Sequence, residues 1–133
     1  MRILTPPGGQ RPSGYSDGIE ARGRLIFVAG QIGTTAGGKL VGTDMASQIE
    51  QALRNVVAVL AAGGATPTHV ARMTWYVTDM AEYQRARAAI GAAYRAVMGE
   101  HYPAMTLVAV VALFDPGARV EIEVTAVVPD PGA

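Results

Sequence analysis

Apolar residues in this chain follow two periods, and the switches between them mark the elements. Residues 6–18 hold three Pro, four Gly, two Ser and an Asp, which is loop chemistry. Ile19–Ala21 and Arg24–Gly30 read as strands around a turn at Arg22-Gly23. The second carries Leu25, Ile26, Phe27 and Val28 without interruption, so both its faces are expected to be buried. A Gly- and Thr-rich turn region runs from Gly33 to Gly42. From Met45 the period becomes helical, with apolar residues at 45, 49, 52, 53, 56, 57 and 60. Thr43 or Asp44 is placed to cap its start, and Gly63-Gly64 its end.

After Thr66-Pro67 the period returns to two. Val70–Thr78 reads as a strand, with Ala71, Met73, Trp75 and Val77 on one face and Val70, Arg72, Thr74, Tyr76 and Thr78 on the other. Asp79-x-x-Glu82 resembles a capping box opening a second helix. Its stripe is Met80, Tyr83, Ala86, Ile90, Ala93, Tyr94, Val97 and Met98, and Gly99 ends it. Two final strands, about 105–113 and 119–128, flank a turn at Asp115-Pro-Gly117.

This order predicts an α+β domain spanning 1–133: one mixed sheet of about six strands with two helices packed on one face. Two helices cover only one face of a sheet. The strand from Met105 to Leu113 is apolar on both, with Met105, Leu107, Ala109, Val111 and Leu113 on one side and Val108, Val110 and Ala112 on the other. No further element is available to cover the second face, so another copy of the chain is the economical cover.

Composition narrows the partners. Eleven basic residues balance eleven acidic ones, which gives no electrostatic reason to expect nucleic acid or an anionic membrane surface. The absence of Cys excludes disulfides, thiolate nucleophiles and Cys-ligated metal. The N-terminal apolar run is too short for a signal peptide, and no stretch approaches a membrane span, so a cytoplasmic protein is expected. His69 and His101 lack ligand spacing with any partner and read as surface residues. The run Thr34-Thr-Ala-Gly-Gly38-Lys39 lacks the Gly-Lys-Ser/Thr ending of a phosphate loop.

Several segments, in order, resemble the Rid family, also described as YjgF-like or L-PSP-type proteins. Gly14-Tyr15-Ser16 is similar to the family's Gly-Pro-Tyr-Ser motif, and Leu25-Ile-Phe-Val-Ala-Gly30-Gln31-Ile32 to its Phe-Val-Ser-Gly-Gln-Ile strand. Gln48–Ala62 resembles its first helix and Ala71–Met80 its strand ending in Thr-Asp-Met. Pro103-Ala104 and Val120-Glu121-Ile122-Glu123 complete the set. The resemblance implies a chorismate-mutase-like (YjgF-like) fold, a homotrimer with sheets inside and helices outside, and ligand clefts between subunits. It also implies hydrolysis of reactive enamines and imines to a 2-oxo acid and ammonia, with no metal or cofactor.

Carried over by position, Glu121 matches the water-positioning carboxylate and Tyr15 the tyrosine that helps close the site. Gly30 and Gln31 match a strand end whose backbone lines the cleft. Thr106 sits where the family often has Ser or Thr, and Arg87 lies near a polar Asn position on the second helix. On pattern alone, Glu121 and Glu123 read as sharing the solvated face of a strand, and it is the family position that gives the catalytic reading of Glu121 equal weight. Met105 is the departure: the family's Pro-Ala-Arg reads Pro103-Ala104-Met105 here. Met cannot pair with a carboxylate, and losing that charge-assisted bond costs about 1.5–3 kcal/mol. Arg87, Arg119 and Arg72 are the candidates to replace it. The expected activity is hydrolytic deamination of imine- or enamine-type metabolites with altered specificity. The alternatives are a non-catalytic metabolite-binding homotrimer and, less favoured by the charge balance, an endoribonuclease.

Overall fold

The computed structural model describes residues 1–132. Its elements are β1 (Arg2–Leu4), β2 (Gly18–Glu20), β3 (Arg24–Gln31), α1 (Met45–Ala62), a 3-10 turn (Pro67–His69), β4 (Val70–Val77), α2 (Met80–Arg85), α3 (Arg87–Met98), β5 (Ala104–Ala109) and β6 (Val120–Val128). The expected α+β fold is present. Its strands divide into a four-stranded mixed sheet, in the order β3-β6-β4-β5, and a two-stranded one, β1-β2. β4 and β5 run parallel, while β6 is antiparallel to both β3 and β4. β2 pairs with β1 and not with β3 across the Arg22-Gly23 turn. The short start of the chain, Met1-Arg-Ile-Leu, gave no alternation long enough to announce β1.

The helices lie on one face. Met73, Trp75 and Val77 of β4, Val120, Ile122 and Val124 of β6 and Val28 of β3 are buried against Met45, Ile49, Leu53, Val56 and Leu60 of α1 and Ile90, Tyr94 and Met98 of α3. Trp75 meets Tyr83 edge-on and lies tilted against Tyr94, which stacks on Tyr102 at 5.4 Å between ring centroids. The helical stripes of the sequence account for this layer. The second stripe is carried by two helices, because Ala86 leaves helical geometry (φ −95°, ψ 9°) and its N–H is shared between Glu82 O and Tyr83 O. No Gly or Pro marks that break.

The opposite sheet face is open, and three strand expectations change there. β3 is not buried on both sides: Leu25 and Phe27 are 56% and 73% exposed, whereas Val28 is buried. β5 ends at Ala109, not 113, so residues 110–118 form a loop in which Val111 and Phe114 are fully exposed. Val70, placed by alternation with Arg72 and Thr74, is buried because a register shift lies between Val70 and Arg72. The apolar side chains left outside are those that called for another copy as cover.

Polar groups hold the helix layer to the sheet. Gln48, fully buried, donates to Gly42 O (2.8 Å) and Gly117 O (3.1 Å) and accepts from Arg119 N (2.8 Å). Glu82 receives the Arg119 guanidinium on one oxygen and Met45 N on the other. Asp44 caps α1 by accepting from Ser47 N at 2.9 Å. That bond holds its carboxyl below the usual range. Asp44→Ala is expected to cost about 0.5–2 kcal/mol in urea unfolding. Because the folded-state pKa is depressed, the difference from wild type is present at neutral pH and disappears as pH falls through that lowered value.

Candidate functional site

The family-matched residues fall into groups set by sheet topology. On β6, Glu121 sits opposite Tyr76 of β4, and Ile122 sits opposite Gln31 of β3. β3 changes register between Val28 and Gln31. This irregular strand end lets the Glu121 side chain lie directly over the Gly30 backbone. A Cβ built on Gly30 would stand 2.1 Å from Glu121 Oε1 and 2.8 Å from its Cγ. Position 30 therefore needs Gly for close approach, since its φ is not left-handed. Gln31 turns back to donate from Nε2 to Ala29 O at 3.1 Å. Gly30, Gln31 and Glu121 thus form one continuous surface, and Glu121 is half-buried there, not enclosed.

Tyr15, Met105 and Thr106 lie toward the opposite edge of the sheet, along β5. Ser16 N donates to Pro103 O (3.0 Å), and Ser16 Oγ to Tyr102 O (2.6 Å). These bonds place exposed Tyr15 beside the start of β5. Parallel pairing puts Met105 opposite Met73 and Leu107 opposite Trp75, so both point to the helix side and pack on the core. Thr106, opposite Thr74, points to the open face, as Glu121 does. β5 and β6 are separated by β4, so their backbones lie roughly 10 Å apart. One chain therefore does not bring Met105 and Glu121 together.

The arginines weighed as replacements are dispersed. Arg87 is exposed in the first turn of α3, in the helix layer and across the sheet from Glu121. Arg119 is held by Glu82. Arg72 is on the open face, with no hydrogen bond or ion pair among the described residues. Neither His is a plain surface group. His69 Nδ1 accepts from Thr66 N at 3.0 Å, and half-buried His101 places Nε2 2.6 Å from Val70 O. His69 is tied down within its own turn, and His101 is tied across to the start of β4. Among the described residues no three of His, Asp or Glu converge as a metal set, and no helix is long and apolar enough to cross a membrane.

Sequence reasoning missed the groups that line the concave centre of the open face. There Tyr76 Oη donates to Glu123 Oε1 at 2.6 Å. The bond raises the pKa of Tyr76, because ionising the phenol would break it and set two anions side by side. Burial raises the pKa of Tyr94 and Tyr83 in the core. The alternation Arg72, Thr74, Tyr76 was visible in the sequence. The register that sets it against Glu123 and Thr125 was not.

A four-stranded sheet with helices on one side, a β5 edge carrying a Pro-Ala motif and a β6 carboxylate over a β3 glycine define a class of small α+β proteins. Residues 9–128 match the family model described as Endoribonuclease L-PSP. A Rid-family protein of unknown function from Yersinia pestis superposes with a TM-score of 0.83 at 36% identity, covering 96% of this chain and 98% of that one. Protein DfrA of Myxococcus xanthus is 34% identical over 115 residues, 85% of this chain and 84% of its own. The human 2-iminobutanoate/2-iminopropanoate deaminase is 31% identical over 105 residues, 78% of this chain and 73% of its own. The chain belongs to the Rid (YjgF/L-PSP) family.

Proposed function

We propose that this protein hydrolyses imine- or enamine-type small molecules, releasing ammonia, in a cleft completed by a neighbouring copy of the chain. The observation that carries this reading is the Glu121 carboxylate laid against Gly30, where only a glycine leaves it room. A half-buried carboxylate beside an accessible backbone can orient a water and take its proton as the water attacks an electrophilic carbon. Tyr15 supplies a phenol O–H at the other wall, and Gln31 and Thr106 add polar contacts. No step calls for a metal or cofactor.

The neighbour is needed because the two walls lie toward opposite edges of one sheet. β3 and β5 are its edge strands. Laying the β3–β6 end of one copy along the β5 edge of the next would bring Glu121 to Tyr15 and Met105. Such a contact joins unlike surfaces, so it closes as a ring, and a homotrimer is the assembly the family resemblance implies. Exposed Leu25 and Phe27 near one edge and Val108, Val111 and Phe114 near the other are suited to it.

Met105 sets the specificity. An apolar, flexible thioether packed on the core offers no bond to a carboxylate. Substrates anchored by apolar groups are favoured over 2-imino acids. Ammonia release from freshly generated imines, with and without a carboxylate, tests this. Wild type is expected to prefer uncharged members, and Met105→Arg to raise turnover of carboxylated ones about ten- to a hundred-fold. A wild-type preference for the carboxylated members would overturn the reading of Met105. A second reading, a trimer that binds metabolites without turnover, is favoured by the same loss of the clamp. It predicts saturable binding with no ammonia above the buffer rate.

A further inference from the structure

The open sheet face holds a concavity of about 690 Å³, a size ordinary for small-molecule sites. It is lined by Arg72, Thr74, Tyr76, Thr106, Glu123 and Thr125, with Phe27 on its rim. These residues come from neighbouring strands in register: Arg72 is opposite Thr125, and Thr74 is opposite both Glu123 and Thr106. Arg72 and Glu123 are therefore diagonal neighbours, with Cβ atoms roughly 7 Å apart. They do not pair with each other. Glu123 is fixed by the Tyr76 hydroxyl through one oxygen, and among the described residues its other oxygen and the Arg72 guanidinium have no partner. A fixed anion and an unengaged cation face one hollow, with threonine hydroxyls between them.

We infer that this hollow, which shares Thr106 with the proposed cleft but not the Gly30–Glu121 wall, is a second binding site for a small amphoteric molecule carrying one carboxylate and one ammonium group. The guanidinium presents two parallel N–H donors to the carboxylate, and the free Glu123 oxygen takes the ammonium. Thr74, Thr106 and Thr125 supply further donors and acceptors. Spacing gives selectivity, since a ligand with a single charge leaves the other pole unmatched. In a ring with sheets inside, the same hollow faces the centre, where fewer waters compete for those bonds.

Glycine, the smallest such ligand, is the probe, with acetate and methylammonium as single-charge controls. Binding is read from threonine methyl resonances of the intact protein at neutral pH and low salt. Glycine is expected to shift the methyls of Thr74, Thr106 and Thr125 saturably and to bind at least about tenfold more tightly than either control. Arg72→Met and Glu123→Gln, both at exposed side chains, are each expected to weaken glycine about tenfold or more without changing oligomeric state. Glu121→Ala should leave glycine binding unchanged. Absence of saturable shifts at these threonines, equal binding of acetate, undiminished affinity in both variants, or loss of binding in Glu121→Ala would each overturn the proposal.

Discussion

Gly30→Ala is expected to leave the fold intact and cut imine hydrolysis about a hundredfold. The added methyl would fall 2.1 Å from Glu121 Oε1 and 2.6 Å from Cδ. The obstructed atoms are the far end of a flexible side chain, so Glu121 swings aside and the strand stays in place. Backbone strain is absent, because Gly30 has no positive φ. The thermal midpoint should therefore move by no more than about 2 °C, a shift of a few tenths of a kcal/mol for a domain this size. Turnover should fall because the carboxylate that orients the water has moved by more than an ångström. A large loss of stability, or full activity with a folded Gly30→Ala protein, would remove Glu121 from the role assigned to it.

Gln48→Leu is expected to destabilise the chain by about 3 kcal/mol or more, measured by urea unfolding. The side chain is fully buried and satisfies three backbone groups at once: Gly42 O, Gly117 O and Arg119 N. Leucine fills a similar volume but leaves all three without a partner, and an orphaned buried polar group costs about 1–3 kcal/mol. The loss reaches beyond stability. Arg119 begins the run into β6, two residues before Glu121, and Gly33 lies so close to α1 that a Cβ built on it would stand 2.7 Å from the Gln48 main chain. The same substitution should therefore speed exchange of the amide hydrogens of residues 115–121, a local effect distinct from global unfolding. A loss below about 1 kcal/mol would mean that water reaches these groups.

Much of the fold was legible because burial imposes period. The α1 stripe at 45, 49, 53, 56 and 60 is the buried face, as the pattern requires, and of the two cap candidates Thr43 and Asp44 it is Asp44 that caps the helix. Met73, Trp75 and Val77 face the core, as alternation places them. The failures occur where period is not the deciding quantity. Val70 changes face at a register shift, Ala86 breaks a helix without a breaker residue, and β5 stops at Ala109 although apolar residues continue. That continuation, Val110 to Leu113, and the apolar run at Leu25–Val28 were read as strand burial. In the chain Leu25, Phe27 and Val111 are exposed surface near the two edges of the sheet, where a single chain has nothing to pack against them.

The site was legible residue by residue but not as an arrangement. Glu121, Gly30 and Gln31 are brought together by strand pairing, and Tyr15 is fixed beside the start of β5 by Ser16. Nothing in the sequence reveals that these two groups lie toward opposite edges of one sheet, because strand order is a long-range property. The same holds for Arg72, Tyr76 and Glu123, which are 47 residues apart between Tyr76 and its acceptor. Arg87 appeared as a candidate through its position on the second helix, yet the layer order puts it across the sheet from Glu121.

The most direct test of the central claim is ammonia release from uncharged imines by wild type and Glu121→Gln, which keeps the shape and removes the base. The account predicts acceleration above the buffer rate in wild type and a loss of about a hundredfold or more in the variant, with the fold unchanged by circular dichroism. No acceleration by wild type, or equal rates for the two proteins, would contradict it.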